Sequence, residues 1–312
     1  MDEAHDDKFV TKLLTYVFED EALLPEGDRL DLVDGIYLAQ IPEILLHSDS
    51  DHNCRDVNFT FSSFFKDHCC KSTMNVEYLG RSDLSLEGVN SEEEKAIKKL
   101  DNYLLSASVY TPRFLAPYAA FVTIPDQRKI CRSFLMRDYG CFPSHQSELS
   151  EGDFSKISHL YKSVRNVLKD DAIGRLPTAL KYYLQAFRRD IDPSVAFLGA
   201  MMAMEALFGS FQSEIAHQIS ERVAFFLKDN PDGRESLYKE VKRHYDLRSK
   251  IAHGTSHGKK YKLQDMLGNI LHTLKDVLVR VLEDPTLLEH FNSNEEKFSE
   301  AMRHLIFHGK MK

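Results

Sequence analysis

Within this 312-residue chain, the residue types best suited to chemistry gather in one stretch, YDLRSKIAHG, from Tyr245 to Gly254. Arg248 and His253 stand five positions apart in it. A histidine takes or gives a proton near neutral pH, and an arginine grips a phosphate with two parallel donors. The pair therefore suits proton transfer at a phosphate centre. The ordinary explanation is a basic helix end. From Lys239 to Lys262 there are eight Lys and Arg against two Asp and Glu, and cations near a helix C-terminus are favoured by the dipole. That accounts for charge but not for an Arg-x4-His pair. On an ideal helix the two side chains diverge by about 140°. Bringing them together requires a distorted helix end or a second copy of the motif.

Other candidates are weaker. Glu205 interrupts the apolar run SVAFLGAMMAMEALFG, where an unpaired carboxylate is costly; a cation or tyrosine partner that supports a site is the preferred reading. Tyr245, three residues before Arg248, can flank a cleft or pack. Lys250, His257, Lys259 and Lys260 extend the basic surface, or line a solvated loop. The near-duplicates DHNC (51–54) and DHCC (67–70) offer His52, Cys54, His68 and Cys70. Their spacing is not that of a zinc finger, so coincidence is preferred and no metal or cofactor is expected. Met201, Met202 and Met204 read as core filler. No phosphate-binding glycine loop, metalloprotease His-Glu-x2-His or serine-hydrolase elbow occurs.

The elements behind these residues fall into two groups. Residues 1–150 carry 15 Lys and Arg against 26 Asp and Glu, and residues 151–312 carry 25 against 22. Only the second half would tolerate a polyanion. The acidic start MDEAHDDKFV lacks the order of a signal peptide, the longest apolar run is too short to span a bilayer, and five cysteines form no disulfide framework. A cytoplasmic protein without a membrane span is expected.

In the first half, Lys8–Glu19 carries apolar residues at helical spacing. DLVDGIYLAQIPEILLHS and VNFTFSSFF read as strands, with Val-Asp-Gly as turn chemistry. NSEEEKAIKKLDNYLLSA reads as a helix with acids at its start, and YAAFVTI and RKICRSFLM as strands across a Pro-Asp turn. Residues 1–148 are thus an α+β domain, open to a role as a sensor or regulatory module for a protein or ligand.

From 149 to 312 the pattern is helical. Phe154, Ile157, Leu160, Tyr161, Val164, Val167 and Leu168 share one face. Leu176–Phe187 is a second helix. A third is capped by Asp192, opens at Pro193 and ends at Gly209; it is apolar almost all round and is expected to be the central buried helix. SEIAHQISERVAFFLKDN, GRESLYKEVKRHYDLRSKIAHG and KLQDMLGNILHTLKDVLVRVLED follow, and 286–308 is expected to be helical and peripheral. Short connections between long helices imply an antiparallel bundle.

Ala203-Met204-Glu205-Ala206-Leu207-Phe208, Arg222, and Tyr245-x2-Arg248-Ser249-x3-His253-Gly254, set in such a bundle, resemble an Apea-like HEPN domain over roughly 150–285. The resemblance implies an all-α HEPN bundle and a metal-independent endoribonuclease whose Arg-x4-His motifs meet in a homodimer. His253 would transfer protons, Arg248 would hold the scissile phosphate of RNA, and Ser249, Glu205 and Tyr245 would support them. It further implies a toxin-like effector in bacterial defence against phage. Many active HEPN nucleases have Asn, Asp or His after the arginine, where this chain has Ser249. The alternative is a catalytically inactive dimerisation or binding module that acts with a regulatory partner.

Overall fold

The computed structural model describes residues 9–18, 29–40, 53–54, 57–58, 72–81, 91–111, 119–127, 129–135, 149–169, 172–187, 191–210, 214–254 and 262–311. An antiparallel sheet precedes a helical region. The chain divides into two compact units. One comprises Met1–Leu104 and Leu115–His159, the other Leu105–Phe114 and Leu160–Lys312. The division passes within two helices instead of falling between 148 and 149.

The first unit is built on six antiparallel strands in the order β2-β3-β6-β1-β7-β8. These are β1 (Phe9–Phe18), β2 (Arg29–Val33), β3 (Ile36–Ala39), β6 (Ser72–Arg81), β7 (Ala119–Ile124) and β8 (Lys129–Leu135). A separate two-residue pair, β4 (Asn53–Cys54) and β5 (Val57–Asn58), lies between β3 and β6 in sequence. The helical spacing over Lys8–Glu19 is overturned, because Phe9–Phe18 is a strand. Val, Thr, Tyr and Phe suit a pleated surface. Leu13, Leu14, Thr15 and Tyr16 are all buried, which erases the alternation that marks a strand with one wet face.

β2 and β3 form a hairpin across Asp34 and Gly35, both with positive φ, the geometry that matches strand twist in a two-residue turn. β6 has polar residues inside. Thr15 Oγ1 donates to Asn75 Oδ1 (2.8 Å), Asn75 Nδ2 donates to Thr73 Oγ1 (2.9 Å), and Thr73 Oγ1 donates to the Ala39 carbonyl (3.1 Å). This chain of bonds crosses β1, β6 and β3 and penalises any slip of register. Helix α1 (Ser91–Tyr110) opens on Glu92, Glu93 and Glu94, and Tyr16 donates to its Asp101 at 2.9 Å.

Eight more helices are described. They are α2 (Glu151–Val167), α3 (Arg175–Gln185), α4 (Pro193–Phe208), α5 (Ile215–Leu227), α6 (Pro231–Ala252), α7 (Leu263–Glu283) and α8 (Pro285–Asn292), with α9 (Glu295–His308) completing the series. Caps set the starts: Asp192 accepts from Ser194 N, Asn230 from Gly233 N and Asp284 from Thr286 N, each followed by proline.

α4 packs against α3, α5, α6 and α7, with Phe197, Ala200, Met201, Ala203, Met204, Leu207 and Phe208 at zero exposure. It is central but not buried all round, since Val195 (54% exposed) and Met202 (39%) face outward. At Gly209 a Cβ would come within 2.5 Å of the Glu205 carbonyl. Only glycine fits that stop.

The segment after Pro285 is not peripheral. Phe291 and Phe298 are fully buried. Phe291 meets Phe208, Phe226 and Phe298 edge-on, with centroids 5.2–5.6 Å apart. Arg175 donates to the Gly209 carbonyl at 2.9 Å and Arg222 to that of Phe208 at 2.6 Å. Glu295 of α9 pairs with Arg175, whose guanidinium lies 4.0 Å from the Phe298 ring centre. Two arginines thus satisfy the carbonyl end of α4, and an acid from α9 balances them.

Candidate functional site

The candidate site lies where the last turns of α6 pass α4. Val241, His244, Tyr245 and Leu247 turn inward and are buried, leaving Arg248 at the edge of the seam. The cation that Glu205 needs is Arg248: its Nε lies 3.1 Å from Glu205 Oε1. The two side chains keep 38% and 22% of their exposure. Nη1 and Nη2 of Arg248 have no partner among the described residues. The ion pair orients the guanidinium, which keeps part of its surface exposed.

Tyr245 adds a buried hydroxyl beside Glu205. Burial pushes its pKa up, the nearby Glu205 carboxylate adds to this, and Arg248 opposes it. Tyr245 is therefore a neutral phenol that neither attacks nor ionises.

His244, one turn before Arg248, is fully buried; neither ring nitrogen has a partner, and its ring centre lies 6.0 Å from that of Phe197. Desolvation first, and the charge of Arg243 second, lower its pKa to about 4. It was not a sequence candidate, because KRHYD surrounds it with charges that suggest solvent.

His253 caps the helix in the open. Its backbone N–H still donates to the Ser249 carbonyl at 3.1 Å, with φ −93° and ψ 5°. The helical spiral continues through it, and the chain turns away only at Gly254, where φ is +65°. The divergence of about 140° from Arg248 therefore persists at the level of the helix. Ser249 is exposed and Lys250 half-buried in the same turn.

His257, Lys259 and Lys260 lie outside the described residues, as do His52, His68 and Cys70; of the proposed Cys/His pairs only Cys54 falls on a described strand. Among the described residues no helix is long and apolar enough to cross a membrane. No family model, curated protein or solved structure matches the chain.

Proposed function

We propose that the chain is a metal-independent endoribonuclease of HEPN type, completed when two copies pair, and a toxin-like effector of bacterial anti-phage defence. One observation carries the reading. Arg248 is held by Glu205 through Nε, its remaining donors without a partner among the described residues, two turns or less from an exposed His253. RNA brings its own nucleophile, so the protein has only to move protons and stabilise charge. The 2′-oxygen bonds to phosphorus and the bond to the 5′-oxygen breaks. His253 takes the 2′-hydroxyl proton or supplies one to the departing 5′-oxygen, and Arg248 stabilises the extra negative charge on the phosphate. Ser249 can hydrogen-bond but adds no charge, which favours the second reading, an inactive dimerisation or binding module with a regulatory partner.

The test compares RNA cleavage with thermal melting. His253→Ala is expected to slow cleavage by ~10²–10⁴-fold. Arg248→Lys keeps a charge but loses the planar fork and is also expected to cleave poorly. Both should melt close to the parent. Parent-like cleavage by both variants would reduce the motif to a helix end.

A further inference from the structure

We propose that the exposed face of α6 is a track for single-stranded RNA, with the His217–Tyr238 pair as a platform on which a base stacks. This rests on the ribonuclease reading, since it supplies the substrate path that leads to His253. His217 of α5 and Tyr238 of α6 share a hydrogen bond of 2.8 Å. Their rings meet edge to face at 5.7 Å and 77°. His217 is exposed and Tyr238 half-exposed. The core between the two helices does not need them: Ile219, Val223, Leu237 and Val241 are already buried there.

A phenol held by its hydroxyl and by a ring edge offers a rigid surface, and a base that stacks on it orders little else. Every base has a π-face, so such a contact is strong and sequence-tolerant. Lys242 Nζ lies 5.9 Å from the Tyr238 ring centre, within reach of the phosphate beside a stacked base.

Helical geometry aligns this platform with the site. Lys242 precedes His253 by eleven positions and falls within about 20° of it around the axis. Tyr238, fifteen positions before, is offset by about 60° and about 22 Å along the axis. Lys242 is the exposed cation on this line; Arg243 is exposed about 100° further round, and Asp246, within about 20° of His253, is the opposing charge. A cation in line with an aromatic ring fits a strand whose backbone is anionic and whose bases are splayed. A duplex keeps its bases stacked on one another and cannot use the ring.

The experiment measures binding of the full-length protein to a fluorescent oligouridylate by anisotropy, in a His253→Ala background, beside the same length of duplex RNA. Cleavage is assayed separately in the His253 protein. Tyr238→Leu is expected to weaken single-strand binding roughly 5- to 150-fold and to leave duplex binding unchanged. Tyr238→Phe, which keeps the ring but loses the hydroxyl bond to His217, should bind far better than Tyr238→Leu, and Lys242→Ala should weaken binding and flatten its salt dependence. Parent-like binding by Tyr238→Leu, equal loss on duplex, or no binding of the oligouridylate by the parent would each overturn the platform. Ring-dependent binding without cleavage would sustain the track and sink the ribonuclease. Cleavage indifferent to Tyr238 would do the reverse.

Discussion

Arg248 and His244 sit one turn apart on α6, and α4 treats them in opposite ways. Glu205 pairs with Arg248 half in water, whereas burial keeps His244 neutral, with its pKa lowered from 6.5 to about 4. The folded state therefore resists protonating His244, while the unfolded chain accepts a proton below its ordinary pKa. Stability from this source is complete above about pH 6.5 and is lost as pH falls towards about 4, by an amount on the order of 3 kcal/mol. His244→Phe should remove that loss, so its melting temperature should fall less than the parent's on acidification. Identical pH slopes for the two proteins would show that His244 does not control the acid limb. Only part of this site is legible in the sequence. Glu205 is conspicuous because a carboxylate in an apolar run demands a partner, and Arg248 is the partner it finds. His244 gives no local sign of burial, since the inward turn of α6 at that position depends on Phe197 lying opposite.

At the scale of elements, the end of α4 is the busiest point in the helical unit. Its carbonyls are claimed by Arg175 and Arg222, and Glu295 and Phe298 of α9 close over them. Phe298→Ala should cost about 3–5 kcal/mol, measured by denaturant unfolding. Glu295→Gln should cost less, about 1–3 kcal/mol, because the acid is more exposed than Arg175. A Phe298→Ala protein as stable as the parent would mean that α9 is an ornament. Local chemistry makes one helix start readable, Asp192-Pro193; Asn230-Pro231 and Asp284-Pro285 share its chemistry, yet the sequence pattern places one helix start at Gly233 and lets 286 open the last segment. Depth is another matter. Nothing in NSNEEKFSEAM distinguishes a helix on the surface from one that seals a core, and nothing in SVAFLGAMM says that Val195 and Met202 face out. β1 and β6 fail for a related reason, because a strand buried on both faces, or with Thr73 and Asn75 inside, lacks the pattern that reveals strands.

For the whole molecule, the divergence between Arg248 and His253 makes pairing of two copies the central prediction. Sedimentation at micromolar concentration should show a dimer. Mixing Arg248→Ala protein with His253→Ala protein should recover part of the cleavage that each lacks, since a mixed pair holds one intact residue of each kind. A monomer that cleaves RNA at the parent rate would defeat this arrangement. The arginine knot has a further consequence, for synthesis. Arg175 and Glu295 are 120 residues apart in sequence, and ribosomes add about 5–20 residues per second. For several seconds, then, a nascent chain carries α3, α4 and α5 without the acid that balances their arginines. The motif of α6 emerges during that interval, before its scaffold can close. The carbonyl end of α4 is therefore sealed last, once α9 has been made.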